Sequence, residues 1–157
     1  MNKSEIFSSG DTSENAPLAR TYSKMLTRAK TSDVAPEVHA RTELLIADHG
    51  YRAVLVIIPA SRQLDVKALS RILGGAHLRF ASSAELARQF PRHIRGVASP
   101  FGSSRQSLAV LDSSLAHQPE LVFEEFDHGE ALVLNTDEYL RRERPLVATV
   151  CHRPIPR

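Results

Sequence analysis

A short apolar run in the first half of the chain constrains the fold more than any other feature. Residues 54–58 are all valine, leucine or isoleucine, and Pro59 follows them directly. A run of this length, rich in β-branched side chains, is typical of a strand that is buried on both faces. Proline lacks the N–H group that would continue the ladder, so the strand is expected to end there. The chain is therefore predicted to build a sheet in which this strand is central.

Turn residues divide much of the remaining sequence into short strands. Residues 38–47 and 51–58 are predicted to form a hairpin around the Asp-His-Gly sequence at 48–50. Further strands are predicted at 77–81, 107–112, 120–126, 130–135 and 146–150, the last of them at a sheet edge. Several neighbouring strands are joined too briefly for parallel crossovers, so antiparallel pairs are expected within the same sheet.

Local signals also predict the helices. Asp65 is expected to cap a helix that ends at Gly74 and Gly75, and Ser82 and Glu85 have the spacing of a capping box. Further helical segments are predicted at 21–30, at 113–118 as a single turn, and at 136–142 with Thr136 as its cap. These elements together predict an α/β (mixed α+β) fold, with a mixed, partly closed barrel-like β-sheet surrounded by helices.

Length and composition favour one domain in a reducing compartment. Residues 1–16 are mostly polar and are expected to form a disordered tail. The length of 157 residues then suggests a single domain at 17–157. The net charge of +2 permits contact with nucleic acid without arguing for it. Cys151 is the only cysteine, which excludes an internal disulfide, and we expect it to be a small core residue. The tail has no apolar signal region and no apolar run could span a bilayer, so a cytoplasmic protein without membrane contact is expected.

Familiar catalytic motifs are absent or incomplete. The residues at 128–130, His-Gly-Glu, match the H-x-E of zinc deaminases, but the accompanying P-C-x-x-C needs two cysteines. The sequence contains no P-loop, G-x-G-x-x-G, G-x-S-x-G or H-E-x-x-H pattern. We therefore expect neither a metal nor a cofactor.

A glycine–proline segment before the strand at 107–112 is the best candidate for binding chemistry. Two glycines and a proline within seven residues predict an irregular backbone whose N–H groups can bind an ester or carboxyl group. The segment consists of Gly96, Val97, Ala98, Ser99, Pro100, Phe101 and Gly102. Arginines flank it on both sides, at Arg88, Arg92, Arg95 and Arg105. The alternatives are a structural turn and a solvated basic face.

Several segments in order resemble the YbaK/prolyl-tRNA synthetase-associated editing domain family. Residues 54–60 and 64–69 look like its strand, turn and LD-x-K-x-L helix, and residues 73–82 look like its LGA and LRLAS step. Residues 96–102 match its GxxxP loop, and residues 110–115 resemble its V-x-D-x-S-L strand end. The resemblance covers most of residues 21–150. Each segment is short, so the specificity of the resemblance comes from the order in which the segments follow one another.

This resemblance implies a function and assigns roles to residues. The family hydrolyses the ester of mischarged tRNA, so the expected activity is that of a trans-editing aminoacyl-tRNA deacylase for a small amino acid on a tRNA-Pro-type substrate. The aminoacylated end of tRNA is the implied partner, and an aminoacyl-tRNA synthetase is a further one. The implied catalytic residues are Arg41, Gly96, Pro100 and His128. The implied substrate contacts are Val97, Ala98, Ser99, Phe101, Gly102, Phe126 and Asp127, with Arg88, Arg92, Arg95 and Arg105 on tRNA phosphates.

The sequence departs from the family at two of these places. Arg41 stands where the family has a lysine, and Phe126 where it has a glycine. Arginine stays charged and cannot shuttle a proton, although it can hold a phosphate or polarise a carbonyl. Arg41 is alternatively a surface strand residue, and Asp127 and His128 are alternatively turn residues. At the level of function, the alternatives are a weak or inactive member that binds tRNA or an aminoacyl ligand, and an interaction module that uses the tail.

Overall fold

A computed structural model describes residues 27–30, 39–48, 53–89, 107–125 and 130–152. The strands are β1 (Thr27–Lys30), β2 (His39–Ala47), β3 (Ala53–Pro59), β4 (Leu78–Phe80), β5 (Leu108–Asp112), β6 (Glu120–Glu125), β7 (Glu130–Asn135) and β8 (Leu146–Ala148). The helices are α1 (Val66–Ile72), α2 (Ser83–Gln89), α3 (Ser113–Ala116) and α4 (Thr136–Glu143).

The described strands form one mixed sheet that curls into a half-barrel with helices around it. The strand order is β1-β7-β6-β2-β3-β5-β8, and β4 pairs with β2 beside this path. β3 lies between an antiparallel neighbour, β2, and a parallel neighbour, β5. β8 lies at one end of the order. The predicted mixed sheet, the central apolar strand, the hairpin and the C-terminal edge strand are therefore confirmed.

The apolar residues of β3 build a core on both faces of the sheet. Val54, Val56 and Ile58 belong to the core on the face covered by α1, where they pack with Leu69. We call this the α1 face. Alternate residues of a strand point to opposite faces, and the remaining leucine and isoleucine of β3 pack with Leu115 of α3. Every one of these side chains is completely buried, which explains the continuous apolar run.

The predicted caps around α1 and α2 are confirmed. The Asp65 carboxylate accepts a hydrogen bond from the N–H of Ala68 at 3.1 Å and so caps α1. Gly74 and the next residue have φ values of 74° and 85°, a backbone region that favours glycine. At α2, the Ser82 N–H donates to Glu85 at 2.9 Å and the Glu85 N–H donates to the Ser82 hydroxyl at 3.1 Å.

Two local predictions are wrong at the level of single segments. Residues 27–30, predicted as the end of a helix, form β1, because they pair with β7 across about a hundred residues of sequence. The cap of α4 is Asn135, whose side chain accepts from the N–H of Glu138 at 2.9 Å, and Thr136 is the first helical residue. Within the described residues the buried Thr136 hydroxyl has no hydrogen-bond partner. Both residue types cap helices well, so sequence spacing alone could not choose between neighbours.

Candidate active site

Arg41 places a positive charge on the α1 face, near the start of β2. It pairs with Ile58 of β3, so it projects from the same face as that residue. Its Nη1 donates to the carboxylate of Glu43, and its Nη2 donates to the carbonyl oxygen of Arg62 at 2.9 Å. The Arg41 side chain is 37% exposed. A guanidinium carries five N–H donors, so these contacts fix its orientation without exhausting its capacity to bind a ligand.

On one side of β2, two different strands pair with its two ends. β6 pairs with His39 and Ala40 at the start of β2, whereas β4 pairs with residues 45–47 near its end. Arg41 and Glu43 lie between these two pairings. Both side chains are partly exposed, and they place a charged pair on the α1 face, whose described core residues are mainly aliphatic.

Asp112 has a structural role at the same end of the sheet. It is 1% exposed, and its Oδ2 accepts from the N–H and the hydroxyl of Ser114 at 3.1 and 2.5 Å. Its Oδ1 accepts from the N–H of Val150 at 2.9 Å. The first contact caps α3, and the last fastens the C-terminal segment to β5. Because these donors contact both oxygens of the carboxylate, Asp112 is held in place as a structural acceptor.

Cys151 is buried beside Asp112, as expected for a small core residue. Burial, followed by the charge of Asp112, raises the pKa of the Cys151 thiol to about 12, while Arg62 and Arg41 partly oppose this shift. The thiolate is the nucleophilic form of cysteine, so Cys151 is not suited to covalent catalysis at neutral pH. Within the described ranges, no group of three or more His, Cys, Asp or Glu side chains could hold a metal ion.

Two of the predicted site residues fall within the described residues. Arg41 lies near the start of β2 on the α1 face. Arg88 is exposed in the last turn of α2. The remaining predicted residues lie outside the described residues: Arg92, Arg95, Gly96, Val97, Ala98, Ser99, Pro100, Phe101, Gly102, Arg105, Phe126, Asp127 and His128. Their roles therefore stay predictions.

The end of β6 lies next to the Arg41 region. β6 runs parallel to β2, with Phe123 beside Ala40, and continues to Glu125. Glu125 and Glu130 form the last described pair between β6 and β7. The connection between these two strands therefore starts one strand away from Arg41.

The sequence interpretation missed the two partners that Arg41 has among the described residues. The signal for Glu43 was present, because residues two apart on a strand share a face, and the burial of β2 alternates around Arg41 in this way. The contact from Arg62 has no such signal, because its carbonyl oxygen is a main-chain group brought in by the turn after β3.

None of the helices in the described part of the chain is both long and apolar enough to cross a membrane.

Solved structures share this fold at low sequence identity. The hypothetical protein APE2540 aligns with a TM-score of 0.70 and 15% identity, covering 87% of this chain and 97% of that one. A candidate trans-editing enzyme for prolyl tRNA synthetase aligns with a TM-score of 0.62 and 17% identity, covering 82% and 87%. A candidate signal transduction protein from Marinobacter aquaeolei aligns with a TM-score of 0.67 and 15% identity, covering 87% of this chain but 30% of that longer one.

The sequence itself matches one family. No curated protein matches this chain. The aminoacyl-tRNA editing domain matches residues 16–142, a span that includes β1 to β7 and most of α4. This match includes Arg41 and both segments that carry the other predicted site residues. The chain therefore belongs to the aminoacyl-tRNA editing domain family.

Proposed function

We propose that the protein is a trans-editing aminoacyl-tRNA deacylase that hydrolyses the ester of a mischarged tRNA carrying a small amino acid, with a tRNA-Pro-type substrate. The observation that carries this proposal is Arg41, a guanidinium oriented by two contacts on the α1 face. It stands where the resemblance to the family puts a substrate-contacting lysine. Membership of the family supplies the class of reaction.

The proposed reaction needs only modest catalytic assistance from the protein, because an aminoacyl ester is already activated. Water attacks the ester carbonyl carbon, the C–O bond to the ribose breaks, and the ribose oxygen leaves with a proton. The products are the free amino acid and tRNA with a free terminal hydroxyl. Arg41 stabilises the negative charge that develops on the carbonyl oxygen, through N–H donors directed at it. It does not transfer a proton, because a guanidinium stays protonated.

The remaining parts of the proposed site are the predicted ones. The glycine–proline loop at 96–102 holds the ester through its backbone N–H groups, and the segment at 126–128 forms another wall. The origin of that segment one strand away from Arg41 supports this assignment. Arg88, Arg92, Arg95 and Arg105 contact tRNA phosphates, which the exposure of Arg88 allows. We place the reaction in the cytoplasm, with a synthetase as a further partner.

A second candidate function is binding without turnover. Arg41 is paired with Glu43, which partly neutralises the charge that a developing oxyanion needs. A weak or inactive member of the family would bind tRNA or an aminoacyl ligand at the same place. Such a protein would show salt-sensitive tRNA binding, because phosphate contacts release counterions, and no deacylation.

The deciding experiment is a deacylation panel. The protein is incubated with tRNA-Pro charged with alanine, cysteine, serine or proline, and with further aminoacyl-tRNAs, and loss of the ester is followed against buffer alone. We expect hydrolysis of at least one small aminoacyl group and little hydrolysis of prolyl-tRNA. Hydrolysis of none, with tRNA binding retained at low salt, supports the second candidate instead.

A further inference from the structure

We infer that Glu43 binds the α-ammonium group of the aminoacyl ester and thereby selects substrates with a free amino group. This inference rests on the proposed deacylase function. It concerns a residue that the sequence interpretation did not assign to the site, and it follows from where Glu43 lies relative to Arg41.

Glu43 shares the α1 face with Arg41. Glu43 pairs with Val56 of β3, and Arg41 pairs with Ile58. Residues two apart on a strand point to the same face, so Glu43 and Arg41 lie on one face. The Glu43 side chain is 27% exposed, so it is partly desolvated and still accessible to a ligand. Its Oε2 accepts from Arg41. A carboxylate has acceptor sites on both oxygens, so Oε1 can accept from a second donor while the ion pair is kept.

The arrangement of charges matches that of the ligand. An aminoacyl ester carries a positive ammonium group and a carbonyl oxygen that becomes negative during hydrolysis, on adjacent carbons. The protein presents a carboxylate and a guanidinium on neighbouring positions of one strand face. With the ammonium on Glu43, the carbonyl oxygen comes to the Arg41 side. Charge-assisted hydrogen bonds of this kind are stronger than neutral ones.

An exposed aromatic ring borders the same position. Phe80 of β4 pairs with Leu45 of β2, which is two residues from Glu43 and on the same face. Phe80 is 52% exposed, and diagonal cross-strand neighbours lie within reach of an aromatic side chain. The face of an aromatic ring attracts a cation. A carboxylate with an exposed ring beside it is suited to a primary ammonium group.

The test compares alanyl-tRNA with N-acetyl-alanyl-tRNA, which keeps the ester and loses the positive charge. Each rate is divided by the hydrolysis rate of the same ester in buffer, because the ammonium group by itself activates the ester. For the wild-type protein we expect this corrected kcat/KM to be about 10- to 100-fold higher on the free amine, the range expected for a hydrogen bond to a charged group. Glu43→Gln should bring this ratio close to one. Glu43→Asp, which retains the charge, should keep part of the preference. The ratio is informative even where a variant also disturbs Arg41, because both substrates depend equally on Arg41.

Glu85→Gln is the matched control, because Glu85 also pairs with an arginine, Arg79, outside the proposed site. It should leave the ratio unchanged. Equal corrected wild-type rates on the two substrates, or a preference that survives in Glu43→Gln, would overturn the role of Glu43 while leaving the deacylase in place. Hydrolysis of neither substrate by the wild-type protein would overturn the proposed function and this inference with it.

Discussion

Two carboxylates lie on the same sheet and have opposite characters. Asp112 is buried, and main-chain and hydroxyl donors from two segments surround it. Glu43 is partly exposed and accepts a hydrogen bond from Arg41 on its own strand. We call Asp112 with Ser114, Val150 and Cys151 the Asp112 cluster, and Arg41 with Glu43 the Arg41 pair.

This difference predicts that the Asp112 cluster stabilises the fold, and it agrees with the proposed ligand-binding role of the Arg41 pair. In the Asp112 cluster every contact joins parts of the chain that are distant in sequence or closes a helix end, so a change there should affect stability. In the Arg41 pair the partners are two residues apart and partly hydrated, and such an ion pair contributes little to stability. A charged pair of that kind is available for function. The following predictions test this division, beginning with the largest effect.

The largest expected effect is the protection of Cys151 from alkylation. Its pKa of about 12, against an ordinary value of 9.0, gives about 1000-fold less thiolate at any pH below 9 in the folded protein. Iodoacetamide labelling at pH 8 should therefore be slower by about that factor than in urea-unfolded protein. Because the folded state keeps the proton, the contribution of Cys151 to stability should be fully present below pH 9 and should be lost as pH rises from 9 towards 12. Rapid native labelling would show that the Asp112 cluster is open.

Next is the free energy of unfolding of Asp112→Ala. The substitution leaves the Val150 N–H without its acceptor and removes the cap of α3, so we expect a loss of about 3 kcal/mol. The matched control is Asp65→Ala, which removes the cap of α1 and should cost about 1 kcal/mol. Urea unfolding followed by circular dichroism measures both. Equal losses in the two variants would mean that the contact with Val150 contributes nothing.

The smallest expected effect is that of Glu43→Ala on stability. We expect a change in the free energy of unfolding below about 1 kcal/mol, because a partly exposed ion pair is screened by water and salt. The same urea titration in low and high salt provides the measurement. A loss comparable to that of Asp112→Ala would place the Arg41 pair with the residues that hold the fold.

Much of the fold could be predicted because its signals are local. The apolar run of β3 is typical of a strand covered on both faces, and the capping box at Ser82 and the cap at Asp65 are set by side chains within four residues of the groups they bind. The local sequence predicts a helix at β1. The segment is a strand because it pairs with β7, and nothing within its four residues indicates that long-range contact.

The site was predictable only in part for the same reason. The position of Arg41 follows from the order of family segments, but its orientation depends on a carbonyl oxygen of Arg62 from another part of the chain. The burial of Asp112 could not be read from its own neighbours, because it depends partly on the C-terminal segment carrying Val150. Contacts between distant segments decide which charged groups are enclosed and which remain available.

The most direct test of the proposed deacylase is the single-turnover hydrolysis of alanyl-tRNA-Pro by wild-type protein, Arg41→Ala and Arg41→Lys, with Arg79→Ala as a control outside the site. We predict hydrolysis well above buffer for the wild type and a decrease of about 100-fold in Arg41→Ala, the usual effect of removing one oxyanion donor. Arg41→Lys should retain part of the activity and Arg79→Ala nearly all of it. A wild-type rate equal to buffer, or an Arg41→Ala rate equal to wild type, would contradict the assignment of Arg41 to a hydrolytic site.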